Sequence, residues 1–420
     1  MGDDKKLPIC KYGSKCYRKN KSHLENYSHP HIKTHNTVEE PVKKRAKIED
    51  FFNGGKKKSA AEAKKPRDEA TTSAVVEVAI NPNKEEDVAL EADEERDKED
   101  APSNLQNITA DPADIREDIK SKFLVEMPED FYQFWEFAKS LHPKKPQDAF
   151  KASLGLTLVG PYDVLAGKCR RHSSSAVCYL THYRYCYDPP EFLTVVKGCE
   201  KTQFHFGYYR DEPNEMPVFV ASNSASENCT LTARGENIFA AMSWFIDNRL
   251  KEGKTKTLTE LKVKISECAR RHDFSLEQKT KAMKAREKNV VARTFHGAGI
   301  VVPVDQTGVG YRPLPETTGS LKKILKKIVE SKDETERNQN LDPLMEIVML
   351  IQFANDECDY GEGLELGLDL FSFTADDCFR NIILSLLPLA YQFLNRDVFA
   401  KIIEAHLANR KRTAELSMLS

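Results

Sequence analysis

Two cysteines and two histidines near the amino terminus have the types and the spacing of a zinc site. Cys10 and Cys16 are separated by five residues, His23 follows after six more, and His29 after another five. Two thiolates and two imidazoles make a complete tetrahedral ligand set for Zn2+. The stretch is too short to bury a core, so metal coordination is expected to supply most of its folding free energy.

The residues around these ligands are more aromatic and basic than packing about a metal requires. Tyr12, Tyr17 and Tyr27 accompany Arg18 and Lys19. Aromatic rings stack on flat partners, and guanidinium groups pair with phosphates. A purely structural zinc knuckle, or a finger that uses the same groups on the bases and phosphates of a nucleic acid, is the alternative.

This module resembles the poly(ADP-ribose)-binding zinc finger. The resemblance rests on residues 10–20, which read CKYGSKCYRKN, and on the histidines and the YSH stretch within residues 23–29. It implies Zn2+ as the bound metal. It also implies that Tyr12, Tyr17 and Arg18 hold adenine and phosphate of the polymer.

A second group of chemically suggestive residues follows an apolar helical pattern in the last third of the chain. Residues 353–361 read FANDECDYG, so Asp356, Glu357 and Asp359 come directly before an expected turn at Gly361. Carboxylates at the carboxyl end of a helix oppose its macrodipole. Such a locally unfavourable choice is often kept for function, although acids at the surface end of a helix are the structural alternative.

A third feature is an arginine in a short rigid segment. Residues 310–315 read GYRPLP and present Arg312 between a glycine and two prolines. Gly and Pro restrict such a segment to a turn or loop. A plain surface turn is the alternative to a functional role for Arg312.

The remaining cysteines favour buried thiols over further chemistry, and a second metal site within Cys169–Cys199 is the alternative, disfavoured by irregular spacing. Ten cysteines in a chain of this length are too sparse for a disulfide scaffold. Eight of them lie outside the finger without the close pairing that zinc ribbons use, so buried thiols are expected. Cys358, next to Glu357, has no histidine partner in sequence, which disfavours a thiol nucleophile.

From about Lys120 to Asn409 the chain resembles the histone PARylation factor family, accessory proteins of poly(ADP-ribose) polymerases. Six separate blocks carry the resemblance: LGL at 154–156, GPYD at 160–163, YDPPEF at 187–192, FHGAG at 295–299, FANDECDYG at 353–361 and HLANR at 406–410. Familiar vertebrate members lack the amino-terminal finger. The chain therefore looks like a member with an added reader module.

The resemblance assigns roles to the acidic segment and to the arginine loop. In that family the acid matching Glu357 completes a composite active site with the polymerase and prepares a substrate serine to attack the NAD-derived ribose. A serine hydroxyl needs a positioned base to take its proton in the transition state. The resemblance further assigns Asp356 to pairing with a polymerase histidine and Arg312 to the docking surface. NAD is then bound by the partner enzyme and not by this chain.

The predicted fold class of the domain that positions these residues is α+β, with helices in excess over a small antiparallel sheet. Short β-type runs predict strands at Phe192–Val196, Gln203–Tyr209 and Val218–Ala221, and a strand-like stretch at Ile300–Val304. A capping box is predicted from Ser275 and Gln278. Helical periodicity predicts Ile238–Leu250, Leu258–Cys268, Ser275–Lys288, Leu321–Val329, Leu344–Phe353 and a pair within Ile382–Leu407.

Composition divides the chain into three predicted parts. Residues 1–35 form the finger, residues 36–114 a polar disordered linker, and residues 115–420 the folded domain. The net charge of -2 hides a basic amino-terminal region and an acidic tract at Glu85–Asp100. The tract is interpreted as a solvating spacer, with histone-tail binding as the alternative.

Short signals predict where the protein acts. No apolar run approaches the roughly 20 residues needed to cross a bilayer, and no secretory signal is recognisable. The basic run PVKKRAK at 41–47 is typical of nuclear import, with a solvated charge run as the alternative. Residues 48–52 resemble a degenerate sliding-clamp motif that lacks the usual Gln.

These features predict a nuclear accessory protein that is not an enzyme on its own. It would dock on a DNA-damage-activated poly(ADP-ribose) polymerase, direct ADP-ribosylation to serines of histones and other proteins, and bind poly(ADP-ribose) through its finger. Direct DNA binding is not expected, nor is a membrane partner. A self-contained transferase using Asp356 and Glu357 is disfavoured, because the chain has no dinucleotide fingerprint near them. A non-catalytic reader or scaffold at damaged chromatin is the other alternative.

Overall fold

The structure is a computed structural model. It describes residue 28 and residues 112–171, 176–253, 255–413 and 415–419. The predicted finger ligands and polymer-binding side chains, the basic run and the acidic tract lie outside the described residues.

Five antiparallel strands form one sheet whose spatial order follows the chain. They are β1 (Thr157–Leu158), β2 (Phe192–Lys197), β3 (Phe204–Tyr209), β4 (Phe219–Ser224) and β5 (Thr232–Ala233). A bulge interrupts the register between Thr194 and Val196 of β2. At Gly207 of β3 an added Cβ would lie 2.6 Å from the carbonyl oxygen of Leu193, so only glycine fits this close approach. The three predicted strands are confirmed, with β4 shifted towards Ser224.

Helices surround and follow this sheet. In chain order they are α1 (Pro112–Phe123), α2 (Glu129–Leu141), α3 (Lys151–Leu154), α4 (Pro161–Leu165), α5 (Ala176–Thr181), α6 (Ile238–Glu252), α7 (Lys256–Arg271), α8 (Lys281–Lys288), α9 (Thr318–Val329), α10 (Glu334–Asp356), α11 (Tyr360–Phe373), α12 (Arg380–Phe393) and α13 (Asp397–Asn409). The predicted α+β class, with helices in excess, is confirmed. None of the helices in the described ranges has both the length and the apolar character needed to cross a bilayer.

The first hydrophobic cluster lies between the sheet and the helices α2 and α6. Phe134 of α2 stacks on Phe150 and meets the edge of Phe239, each with ring centroids 5.1 Å apart. At the start of α2 the buried Asp130 accepts hydrogen bonds from the Tyr208 hydroxyl (2.6 Å) and the Ile238 backbone N–H (2.8 Å). Burial raises the pKa of Asp130 to about 6. This carboxyl therefore joins α2, β3 and α6 at one point of the core.

The second hydrophobic cluster joins the helices α9 to α13. Leu321 and Leu325 of α9, Ile351 of α10, Leu387 of α12 and Ile403 of α13 are all buried in it. Helix α11 passes through this cluster with almost every residue buried. The residues that follow α10 are consequently fixed against a packed core.

Three local predictions were wrong. Helix α8 begins only at Lys281, because Thr280 accepts the capping hydrogen bond from the Met283 N–H (3.2 Å) while Ser275 accepts from Glu277. The stretch Ile300–Val304 forms no strand, since only Ile300 makes a β-bridge, with Ala292. Ile300 and Val302 are buried in the second cluster instead of pairing with a neighbouring strand, while Val304 is exposed. The expected turn at Gly361 is the first turn of α11.

Candidate functional site

The carboxyl end of α10 has a defined geometry that fixes the direction of the acidic segment. Glu357 is the C-cap residue, and Cys358 adopts the left-handed conformation with φ of 69°. The N–H of Asp359 donates to the carbonyl of Ala354 (2.9 Å) and that of Cys358 to Asn355 (3.1 Å). These two bonds form a Schellman motif in which Cys358 occupies the position usually taken by glycine. The buried Cys358 turns the chain and leaves Glu357 at the surface.

The arginine loop is bound to the start of α11 by three hydrogen bonds. The N–H of Gly310 donates to Asp359 Oδ1 (2.9 Å), and the N–H of Gly361 donates to the carbonyl of Gly310 (3.0 Å). The hydroxyl of Tyr311 donates to Glu365 Oε2 (2.9 Å). The loop therefore runs alongside the first turns of α11, which explains how residues far apart in sequence meet.

Glycine permits close contacts at two positions of this junction. Gly310 has φ of 131°, and an added Cβ would collide with the carbonyl oxygen of Pro303. An added Cβ at Gly361 would lie 3.0 Å from both the Gly310 carbonyl oxygen and the Tyr311 ring. The glycine at 310 lets the loop turn back closely on Pro303, and the glycine at 361 lets the first turn of α11 lie close to the loop.

Arg312 connects the two parts of the site by ion pairs. Its Nη2 contacts Glu357 Oε2 and lies 3.0 Å from Asp359 Oδ2. The side chains of Glu357 and Arg312 are 53% and 47% exposed, whereas that of Asp359 is only 9% exposed. The hydrogen bond to Glu357 is the main cause that raises the pKa of Arg312. The buried Asp359 thus anchors the arginine, and the arginine restrains an exposed carboxylate.

One face of α11 places further acids beneath this surface. Burial raises the pKa of Glu362 to about 7, although the positive charge of Arg312 opposes the shift. Glu365 has a raised pKa for the same reason, and that of Asp369, which accepts from the Phe295 N–H at 2.7 Å, rises to about 8. Three protonatable acids therefore line one side of α11 from the Arg312 region inwards.

An apolar patch on α10 leads to the acidic end of the helix. Met349, Leu350 and Phe353 are exposed, and Phe353 is 49% exposed. Positions 349, 350, 353 and 357 fall on one face of a helix, opposite the buried Ile351. The sequence interpretation treated Leu350 and Phe353 as part of an apolar helix and missed their exposure. The helical period could have predicted their exposure, because Leu350 and Phe353 fall on a different face of the helix from the buried residues.

The structure brings Arg312, Asp356 and Glu357 to one surface. Asp356 is the last residue of α10 and is exposed. Three cavities in the described residues, of about 520, 340 and 630 Å³, are lined by none of these three side chains. Within the described ranges no group of three or more His, Cys, Asp and Glu side chains has the geometry to hold a metal. With a side chain that is 53% exposed, Glu357 would act at the protein surface.

Comparison with known proteins gives two family matches. The family described as Histone PARylation factor 1 matches residues 114–410, and the family described as PBZ domain matches residues 7–32. Histone PARylation factor 1 of Bos taurus is 51% identical over 306 residues, which cover 72% of this chain and 88% of the relative. That of Mus musculus is 49% identical over 304 residues, covering 71% and 87%. Putative histone PARylation factor 1-like of Homo sapiens is 45% identical over 306 residues, covering 71% and 88%.

Proposed function

This chain belongs to the histone PARylation factor 1 family, and from that premise we propose that it is a catalytic accessory factor of a poly(ADP-ribose) polymerase. It docks on the polymerase through the surface around Glu357 and directs ADP-ribosylation to serine residues of histones and other proteins. It does not turn over NAD alone. The nucleus, at chromatin and DNA damage sites, is the place where this activity is needed.

The observation that carries the proposal is the position of Glu357. A general base must reach the proton of the substrate hydroxyl within hydrogen-bond distance. Glu357 is half exposed on an open surface, and its carboxylate is restrained by Arg312. An enzyme that binds NAD by itself would place such a group in a cleft that excludes water. A surface base suits a site that a second protein completes.

The neighbours of Glu357 suit a docking role. Phe353 offers an exposed aromatic ring, Arg312 a planar cation and Asp356 an exposed carboxylate. Aromatic residues and arginine dominate the energetics of protein interfaces. We propose that Phe353 packs against the polymerase while Asp356 pairs with a cationic histidine of its active site and Arg312 lies at the same interface.

The finger retains the protein where polymer is made. The match of residues 7–32 to the PBZ domain supports Zn2+ coordination by Cys10, Cys16, His23 and His29. In this proposal Tyr12, Tyr17 and Arg18 bind adenine and phosphate of poly(ADP-ribose). The finger supplies retention, and the folded domain supplies the catalytic glutamate.

The deciding experiment measures serine modification of a histone peptide by a DNA-activated poly(ADP-ribose) polymerase with labelled NAD. It compares the reaction without this protein, with it, and with its Glu357→Gln variant. Loss of a positioned general base should lower serine modification by about 10²- to 10⁴-fold. Binding of the variant to the polymerase should change far less, because Gln keeps the shape of Glu.

The matched control is Glu346→Gln. Glu346 is exposed and lies on the same face of α10, about 16 Å from Glu357 along the helix axis. This variant should support full serine modification. If Glu357→Gln is equally active, the composite site is wrong and a non-catalytic scaffold at damaged chromatin is the better account. The composite site is also wrong if the polymerase modifies serine to the same extent without this protein.

A further inference from the structure

A cavity of about 520 Å³ opens between the edge strand β5 and helix α8, and it shares no residue with the Glu357 surface. Its volume falls within the range of about 300–1,000 Å³ typical of small-molecule sites. The apolar floor is formed by Phe219, Leu231, Met283 and Ala298, which belong to one hydrophobic cluster. Phe219 is itself stacked on Tyr209, with ring centroids 4.9 Å apart. The floor is therefore flat, apolar and rigid.

The wall behind this floor is held by Arg286. Its Nε and Nη2 donate to the carboxylate of Asp211 at 2.9 and 2.7 Å. Its Nη1 donates to the carbonyl of Ala298 (2.6 Å), and Nη2 also donates to that of Gly299 (3.1 Å). Every nitrogen of this guanidinium is engaged with protein. Arg286 thus shapes the cavity and leaves ligand binding to other groups.

The rim carries an excess of positive charge. Lys279, Lys284 and Arg293 line the cavity and are exposed, and the single lining carboxylate, Glu287, pairs with Arg293. No carboxylate of the described residues lies within 4.0 Å of the ammonium groups of Lys279 or Lys284. Two threonines, Thr230 and Thr232, also line the site. An apolar floor below two uncompensated cations selects an anion that carries a flat apolar part.

We propose that this cavity binds a nucleoside diphosphate. The base would lie on the floor beside Phe219 and Met283, and the phosphates would reach Lys279 and Lys284, since ammonium groups bind phosphate as point charges. Inorganic phosphate would leave the floor unused. The proposal uses no residue of the Glu357 surface, so it stands or fails separately from the proposed function.

The test follows the methionine methyl groups of the full-length protein by NMR during titration with ADP. The methyl signal of Met283 should shift with saturation, while that of Met349, exposed on α10, should not. Because the signal of Met283 is local, binding of ADP at the finger cannot imitate it. Lys284→Glu should weaken the affinity for ADP by about tenfold or more, because a charged hydrogen bond to phosphate is lost and a charge repulsion is added.

The matched control is Lys288→Glu, on the same helix and exposed but outside the cavity lining. It should leave the affinity for ADP within about twofold, because its charge acts only through screened solvent. Lys279→Glu precedes α8 and so changes no residue of the helix. It provides a second variant with the same expected loss of affinity for ADP.

Three results would overturn the proposal. The first is a methyl signal of Met283 that does not move at about 1 mM ADP. The second is an equal loss of affinity with Lys284→Glu and Lys288→Glu, which would show general charge attraction. The third is binding of inorganic pyrophosphate as tight as that of ADP, which would show that the apolar floor contributes nothing.

Discussion

At the scale of the residue, neighbouring carboxylates of this protein have different environments and so different roles. Asp356 and Glu357 are exposed, and Asp359 is buried between the Gly310 N–H and Arg312. Glu362 is buried, and its Oε2 has no hydrogen-bond partner among the described residues. Exposed carboxylates can serve a partner or substrate at little expense to stability. Buried carboxylates act through the groups with which they form hydrogen bonds and ion pairs.

Asp359 and Asp356 should therefore respond in opposite ways to removal of charge. Asp359→Asn weakens the anchor of Arg312 and should lower the free energy of unfolding by about 1–3 kcal/mol. Asp356→Asn should change the free energy of unfolding by less than about 0.5 kcal/mol, because the side chain is exposed. It should nevertheless weaken binding to the polymerase. Urea denaturation and a binding titration on both variants measure the contrast. Equal stability losses in the two variants would contradict this assignment.

Glu362 should make stability depend on pH. Its pKa rises from 4.5 to about 7 on folding, so the folded state keeps a proton that the unfolded state releases between these values. The free energy of unfolding should thus fall as the pH rises from about 4.5 to about 7, by at most about 1.4 kcal/mol per pH unit for this group.

Glu362→Gln should remove this part of the slope. Other buried acids with raised pKa values, such as Glu191 and Asp369, contribute equally to both proteins and cancel in the difference. The measurement is the free energy of unfolding in urea at several pH values for the natural protein, Glu362→Gln and the exposed control Glu346→Gln. Parallel curves for the first two would show that Glu362 ionises normally in the folded state.

At the scale of the element, α10 has two apolar faces with different purposes. Ile351 is fully buried in the second cluster, whereas Phe353, two residues later, is half exposed. An exposed patch that contains an aromatic ring and lies beside functional groups marks an interaction surface. The far side of the same helix is fixed by the core, so the patch is presented on a rigid support.

Phe353→Ala should separate binding from stability. The substitution should change the free energy of unfolding by less than about 1 kcal/mol, because half of the ring already contacts water. It should weaken polymerase binding by about 2 kcal/mol or more. Ile351→Ala should instead reduce stability by about 2–5 kcal/mol. Unfolding curves and binding isotherms for both variants test this contrast. Unchanged affinity with Phe353→Ala would remove Phe353 from the interface.

At the scale of the whole molecule, the folded domain has its own core, whereas the proposed finger is expected to depend on metal. The two hydrophobic clusters bury the residues that support the Glu357 surface, and within the described ranges no group of three or more His, Cys, Asp and Glu side chains could hold a metal. A finger of the predicted size folds only when its four ligands hold Zn2+. Polymer binding and catalytic assistance should accordingly be separable.

Removal of zinc by a chelator should abolish binding to poly(ADP-ribose) and leave the thermal unfolding transition of the folded domain unchanged. Cys10→Ser should reproduce the loss without a chelator, because it removes one of the four ligands. Cys199→Ser, which changes an exposed free thiol of the domain, should bind polymer normally. Polymer binding that survives both zinc removal and Cys10→Ser would place the polymer site outside the finger.

The sequence by itself determined the features that depend on neighbours along the chain. The β-type run Gln203–Tyr209 predicts a strand and the period of Ile238–Leu250 predicts a helix, and the structure has both. The spacing of Cys10 to His29 predicts a ligand set, which lies outside the described residues. The sequence also identified Glu357 as the acid that follows a helix. These signals are local because hydrogen bonding and side-chain direction repeat within a few residues.

Only the tertiary structure decided how the site is assembled. Arg312 and Glu357 are 45 residues apart, and they meet because hydrogen bonds of the loop with Asp359 and Gly361 hold the loop beside the start of α11. The burial of Glu362 and the exposure of Phe353 likewise depend on which helices cover α10 and α11. Sequence patterns do not specify these contacts, because they arise from the packing of distant elements around a shared core.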